Sequence, residues 1–337
     1  HKTTHSSGSD AIMWIRLTFS NPTRKGILTH APRALELGLA LLLDEALGDP
    51  PDRWHPVAWF GSLAERVEAR LWRDDRAHGV LFVVGLVGLA WAVGAVLEAV
   101  PAGGVLAAWV ALGGRTLRRR SAEVADLLER GDLDGARDRL GWLVGRERGG
   151  LGPNEVARAA IESVAENTAD AVLGVLVWHL VAGPRGSLAF RAINTLDAMV
   201  GHRSTRYERF GWAAARADDW AVWPAARLAW LLERGVPSRL VGAARAHPSP
   251  NAGLMEALCA HAVGTALGGV NRYDERVVRL PELVAGPPPD AAALRRAVGW
   301  SKRSAWRAVA VLGVLEWLGR LARTPTERRG GDGAAGS

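Results

Sequence analysis

Val80-Leu81-Phe82-Val83-Val84-Gly85-Leu86-Val87-Gly88-Leu89-Ala90-Trp91-Ala92-Val93-Gly94-Ala95-Val96-Leu97-Glu98-Ala99-Val100 is the stretch that decides the fold class. It holds about 20 residues, the length a helix needs to cross ~30 Å of hydrocarbon. Its one charge, Glu98, lies near the end. Pro101-Ala102-Gly103-Gly104 reads as a turn, and Val105–Leu112 as a second apolar segment that returns. The expectation is a membrane hairpin with residues 49–79 and the segment after Gly113 on one side. Arg115, Arg118, Arg119 and Arg120 follow directly, and the positive-inside rule assigns that side to the cytoplasm.

The rest of the chain reads as helices. Ala34–Leu47 is apolar apart from a few charges, and Gly48-Asp49-Pro50-Pro51 ends it, since proline fixes φ and removes a donor. Residues 59–72 read as an amphipathic helix and residues 121–148 as charged, solvated helix. Asn154–Asp170 runs into the apolar Ala171–Ala182, which is too short for a simple span and reads as buried or re-entrant. Trp220–Leu232 reads the same way. Ser304–Leu321 is apolar but carries Arg307, Glu316 and Arg320. Strand patterns are scarce and no repeat is visible. The expected architecture is all-α: a polytopic helical membrane protein with short or re-entrant helices around a polar site. One catalytic domain, 34–322, lies between polar tails at 1–33 and 323–337.

Bulk composition excludes little by itself. Of 337 residues 48% are hydrophobic and 23% charged, values a soluble protein could share, so clustering matters more than the mean. The formal charge is +7, and only Lys2, Lys25 and Lys302 among the 42 basic residues are lysines. Arginine favours phosphate and carboxylate partners. The basic residues form no stripe interleaved with aromatics, so no nucleic-acid partner is expected. The single Cys259 allows no intrachain disulfide and reads as a small buried apolar residue. The 15 tryptophans, many near the ends of apolar segments, suit membrane interfaces.

Three polar clusters carry the candidate chemistry. Glu162, Glu166 and Asp170 repeat every four residues, one acidic stripe on a helix, with Asn167 beside them. A solvated face is the bland alternative. The stripe runs into an apolar helix, however, where unpaired carboxylates are costly, and this favours metal or phosphate handling. Asn194 and Asp197 share the face of a second helix; Arg206, Tyr207, Arg216, Asp218 and Asp219 follow. Arginines can grip phosphate in bidentate fashion, and paired aspartates can hold Mg²⁺ on a nucleotide. The third cluster is His247-Pro248-Ser249-Pro250-Asn251-Ala252-Gly253, followed by Glu256, Gly268-Gly269, Asn271 and Tyr273. Its prolines make a stiff loop at a helix start, which can present N–H groups to an anion or merely end a helix. No P-loop, dinucleotide fingerprint or structural-zinc spacing is present.

In this order, the pieces resemble the adenosylcobinamide-phosphate synthase family, the CobD/CbiB proteins of cobalamin biosynthesis. They are Gly48-Asp49-Pro50 with His55-Pro56-Val57, Glu162 to Asp170, Asn194-Thr195-Leu196-Asp197, Arg206-Tyr207, Arg216 with Asp218-Asp219, Arg227-Leu228, and His247 to Gly253 with Glu256, then Asn271. The pattern departs at Arg191, His202, Val222 and Asp274, where the family has lysine, tyrosine, asparagine and glycine. The resemblance implies an integral enzyme of the cell membrane whose active site faces the cytoplasm. It implies ATP-dependent amide ligation of (R)-1-amino-2-propanol O-2-phosphate, or free aminopropanol, to adenosylcobyric acid. Corrinoid and aminopropanol phosphate are then substrates, ATP with Mg²⁺ the cosubstrate, and lipid and other membrane enzymes of cobalamin synthesis the surroundings. Glu162, Glu166, Asp170 and Asp197 are the catalytic candidates, and Glu166, Asp170, Asp218 and Asp219 the metal candidates. Asn167, Asn194, Arg206, Tyr207, Arg216, His247, Ser249, Asn251 and Asn271 are the candidates for substrate or phosphate binding. Two rivals remain: a Mg²⁺-dependent prenyl- or phospho-transferase, which should show repeated aspartate pairs where only Asp218-Asp219 stands, and a transporter subunit, which should show longer, cleaner spans.

Overall fold

The computed structural model describes residues 31–322, apart from 146–147, 203, 234, 245–246, 274–275 and 281–282. The expected tails 1–33 and 323–337 therefore fall almost wholly outside the described residues.

Twelve helices build the described chain: α1 (Arg33–Leu47), α2 (Pro56–Leu71), α3 (Arg76–Glu98), α4 (Gly103–Ala111), α5 (Gly114–Glu129), α6 (Leu133–Leu140), α7 (Pro153–Thr168), α8 (Gly174–Leu196), α9 (Trp212–Leu232), α10 (Ser238–Ala244), α11 (Pro250–Val263) and α12 (Ala291–Leu321). The all-α expectation holds. One small antiparallel hairpin, β1 (Gly269–Tyr273) with β2 (Arg276–Leu280), was not anticipated and joins α11 to α12. Helix starts follow local chemistry. Asp75 accepts the His78 N–H at 2.9 Å to begin α3, and Asp290 accepts that of Ala293 at 2.6 Å to begin α12.

α3 is the helix foreseen at Val80–Val100. Its 23 residues rise about 34 Å, enough to cross a bilayer. Leu81, Val84, Leu89, Trp91, Val93 and Val96 are exposed along it. The returning partner is shorter than the hairpin reading required. α4 has nine residues and rises only about 13 Å. It stops where Gly113 donates its N–H to the Ala171 carbonyl at 3.2 Å, well short of the start of α3. The physical reason is the extended backbone of Leu112, which breaks the helix before α5 resumes at Gly114.

Ala171–Ala182, expected as a buried or re-entrant helix, is one arm of a segment that doubles back on itself. Pro153–Gly201 is apolar and long enough to span as one rod of 49 residues, but it is not one rod. Gly183 has φ 61° and ψ −146°, with Pro184 next. A Cβ on Gly186 would lie 2.0 Å from the Trp178 carbonyl oxygen, and one on Gly174 would strike the Phe190 ring. In a straight helix Trp178 and Gly186 would be about 12 Å apart. The chain therefore reverses at Gly183, and the arms ending at Ala182 and beginning at Pro184 pack antiparallel. His179, fully buried, ties the fold together: one ring nitrogen meets the Glu36 carboxylate of α1 at 2.9 Å, the other the Ser187 hydroxyl of the opposite arm at 3.2 Å.

α3 lies along the second arm. A Cβ on Gly94 would meet the Arg185 backbone at 2.5 Å, and one on Gly79 the Phe210 carbonyl oxygen at 2.0 Å, so glycine lets the chains touch. At the reversal end, Glu98 pairs with Arg185 at 2.8 Å and Arg33 at 3.8 Å. Glu316 accepts the Arg33 and Ala34 N–H groups and so caps α1 from α12. This explains one of the charges in Ser304–Leu321. Arg307 is met by Glu233 at 3.5 Å.

Candidate functional site

The acidic stripe begins on α7 and crosses into the π-helical turn Ala169–Leu173. That widened turn re-aims Asp170 relative to Glu162 and Glu166, and such turns are frequent at functional sites. A second π-helical turn, Asp197–Gly201, does the same at the foot of the returning arm. The antiparallel packing brings Asp170 and Asn194 to one level. Asp170 is within electrostatic reach of Asp218, Glu166, Asp197 and Arg191. The Asn194 amide donates to Asp218 Oδ1 at 3.3 Å. Asp170, Asn194, Asp197 and Asp218 are all half-buried. The two wall segments and α9 thus bring Asp170, Asn194, Asp197 and Asp218 together.

Asp197 lies about 20 Å along its arm from the reversal at Gly183. α9 is not among the stretches long and apolar enough to span. Burial, and then the Asp197 carboxylate, push Asp218 up to about 7 against the Asn194 hydrogen bond. An all-oxygen set of this kind suits Mg²⁺, which a softer or nitrogen-rich set would not. Arg191, the residue standing where a lysine was expected, reaches toward Asp170 and Asp49, and its buried Nε has no hydrogen-bond partner among the described residues.

Beside this wall is a recess of about 370 Å³, lined among others by Tyr207, Trp212, Arg216, Asp219, Trp220 and Trp223, with Pro248 and Pro250. Arg216, on its rim, pairs with Asp219 at 3.2 Å. The recess joins an aromatic surface to the acidic wall through the adjacent Asp218 and Asp219.

The other candidates have partners of their own in the fold. Arg206 and Tyr207 do not stand over the acidic wall. Arg206 Nη2 and the Tyr207 hydroxyl both bond Glu68 Oε1 of α2, at 3.1 and 2.8 Å, and Arg206 stacks on Trp72. Their first role is to hold the 204–211 loop on α2, although Tyr207 also lines the recess. Asn167 turns back to the Ser163 carbonyl, at 2.9 Å. The proline loop does border the recess, but through Pro248 and Pro250. Ser249 caps α11 by accepting the Ala252 N–H at 3.3 Å. Asn251 is buried, accepts from Arg227 at 2.6 Å and donates to the Asp219 carbonyl at 2.7 Å. It locks α11 to α9 directly behind Asp219. Asn271 lies in β1 opposite Val278, and its side chain is outside the described residues.

His247 turns toward Glu162 and Glu166 from the far side. Burial holds its imidazole below the usual histidine range, opposed by its Ser249 hydrogen bond and the Glu162 charge. Glu162 is buried, with Arg158 Nε 4.0 Å away. Glu256, named in the sequence but given no role there, is 1% exposed on α11 and faces His247. Cys259 is buried in the core, and burial pushes its thiol far above the usual range, as expected of an inert packing residue.

The family described as CobD/Cbib protein has a sequence model that matches residues 37–301. A cobalamin biosynthesis protein CobD of Mycobacterium tuberculosis (strain CDC 1551 / Oshkosh) is 45% identical over 291 residues, covering 81% of this chain and 93% of the relative. One from Geobacter metallireducens is 42% identical over 77% of this chain and 89% of its own length, and one from Klebsiella pneumoniae subsp. pneumoniae is 38% identical over 72% and 84%. No solved structure matches.

Proposed function

The chain belongs to the CobD/CbiB protein family, and from that membership we propose that it is an adenosylcobinamide-phosphate synthase, acting in cobalamin biosynthesis as the relatives' names state. The proposed reaction joins the amine of an aminopropanol phosphate to a carboxylate of adenosylcobyric acid, with ATP consumed. The supporting observation is the convergence of Asp170, Asn194, Asp197 and Asp218 beside the Arg216–Asp219 recess. A carboxylate is a poor acylating agent at neutral pH, and transfer of a phosphoryl group to it supplies a leaving group. Bound Mg²⁺ neutralises phosphate charge and polarises the transferred group.

The chain's own residues then have separable tasks. Asp170 and Asp218, with Asp219 at the margin, would supply oxygen ligands for Mg²⁺ on the nucleotide. Asn194 orients Asp218. Arg216 is free to exchange Asp219 for a phosphate oxygen with little cost, because the pair is more than half exposed on the arginine side. Trp220 and Trp223 offer flat apolar faces for a corrin ring. Asp197 or Glu166 accepts the amine proton as the amide bond forms.

The deciding experiment is ATP consumption by the purified, detergent-solubilised protein. Hydrolysis that requires both adenosylcobyric acid and aminopropanol phosphate supports the reading. Turnover unaffected by leaving out either substrate overturns it. Arg216→Lys should lower kcat/KM by about 10-fold or more, since the planar fork is lost while charge is kept.

A further inference from the structure

Four arginines stand at the corner where α2 gives way to α3: Arg66 and Arg70 toward the end of α2, Arg73 in the link, and Arg76 at the first position of α3. All are exposed. Arg66 and Arg70 are one helical turn apart, a spacing at which like charges repel. Among the described residues none of the four meets a carboxylate, whereas Arg119 and Arg139 pair with Glu123, and Arg295 with Asp126 and Glu129. The nearby acids compensate only in part. Glu68 is held by Arg206 and Tyr207, and Asp75 by His78. Glu65 and Asp74 remain, two negative charges against four positive.

The second observation is the surface next to this charge. α3 continues from Arg76 into Val80, Leu81 and Val84, which are 40%, 57% and 63% exposed. Arg76, Val80 and Val84 recur every four residues and share one face of the helix. α3 is long and apolar enough to cross a bilayer. A basic corner at the end of an uncovered apolar face matches a phospholipid, which carries an anionic phosphate above apolar chains. Arg76 stacks at 5.0 Å on the ring of Trp212, and Arg206 at 4.9 Å on that of Trp72. Tryptophan is enriched at headgroup level. An acidic soluble protein would meet the arginines and leave the apolar face bare. A second copy of the corner would bring like charges together.

We propose that the α2–α3 corner seats an anionic phospholipid of the bilayer, its headgroup phosphate gripped by Arg70, Arg73 and Arg76 and an acyl chain lying on Val80, Leu81 and Val84. A guanidinium offers parallel N–H donors to phosphate oxygens, and each arginine near an anionic surface strengthens the attraction about 5-fold.

The test uses the full chain reconstituted in phosphatidylcholine bilayers, with spin-labelled phosphatidylglycerol or spin-labelled phosphatidylcholine as probe. Electron paramagnetic resonance reads the fraction of label immobilised on the protein. Phosphatidylglycerol should be preferred by about 3-fold or more at low salt, and the preference should shrink as salt is added. Arg70→Gln, Arg73→Gln and Arg76→Gln combined should bring the two labels to parity. Arg119→Gln, Arg139→Gln and Arg295→Gln combined remove the same charge from paired arginines and should leave the preference in place. Equal immobilisation of both labels on the unaltered chain, a preference that survives the corner variant, or an equal loss in the paired-arginine variant overturns the proposal. A preference abolished by inorganic phosphate at constant ionic strength marks a site for a free anion and overturns it too. If the corner variant fails to fold, Arg73→Gln alone, outside either helix, decides: a reduced preference supports the proposal and an unchanged one overturns it. Neither ATP nor a corrinoid is present, so failure of the ligase reading does not touch this outcome.

Discussion

Asp218 carries a testable asymmetry. Its carboxyl is raised to about 7, chiefly by burial and then by Asp197. The folded value lies above the unfolded one, so the stability linked to this group is fully present below the unfolded value near ~4 and is lost as pH rises through 7. Asp218→Asn has no such loss. The stability gap between variant and wild type should widen in the variant's favour from pH 5 to pH 8, by about 1–2 kcal/mol after allowing for water in the recess. Thermal unfolding at the two pH values reads it directly, and a gap that stays constant counts against the buried-carboxyl account. Cation binding needs the ionised form, so Mg²⁺-nucleotide affinity should rise through the same window in wild type. Much of this wall was legible at the residue scale. Carboxylates at helical spacing beside an apolar run announce a cost that something must offset, and Asp170 and Asp197 do meet. What sequence could not reveal was the partner across space. Glu68 claims Arg206 and Tyr207, and no local pattern marks it as their acceptor. Glu256 joins His247 only because α11 folds back on α7.

At the scale of elements, the reversal at Gly183-Pro184 sets the site. It doubles Pro153–Gly201 on itself and brings Asp170 within electrostatic reach of Asp197 and Arg191 on the returning arm. Its length signal was readable, because twelve-odd apolar residues cannot span; the Gly183-Pro184 pair that ends them was not singled out. The end of the returning segment was readable at Leu112, whose extended backbone ends α4; what apolar character alone did not show is that its nine residues are too few to recross a bilayer. The close approach of the arms predicts a sharp contrast between two glycines. Gly186→Ala places a methyl group against the Trp178 carbonyl, with no flexible side chain to yield, and should destabilise by about 3 kcal/mol or more. Gly88→Ala on α3 meets nothing within 4 Å and should be neutral or slightly stabilising, as alanine is the better helix former. Melting curves of both variants in one detergent decide the matter; equal effects would contradict the antiparallel arms.

For the whole molecule the question is which surface meets lipid. Only 28% of the most apolar window of α3 is buried, and the rest is an exposed band of Leu, Val and Trp. A soluble protein rarely leaves so large a patch uncovered. Around the foot of α3 stand Arg66, Arg70, Arg73, Arg76, Arg209 and Arg216, whereas Arg33, Arg185 and Arg320 stand near the reversal end, two of them paired with Glu98 and the third with Glu316. The positive-inside rule predicts that the foot of α3, and with it the mouth of the recess, faces the cytoplasm. The single native thiol makes this directly measurable, because Cys259 is fully buried and should not react with a polar maleimide. Arg73→Cys and Ala99→Cys place new thiols at the two ends of α3. In intact cells the reagent should label Ala99→Cys alone, and in inverted vesicles Arg73→Cys alone. Carbonate washing should leave both variants in the membrane fraction. Labelling of both thiols from one side, or release of the protein by carbonate without detergent, would mean that α3 lies on a surface rather than across a bilayer.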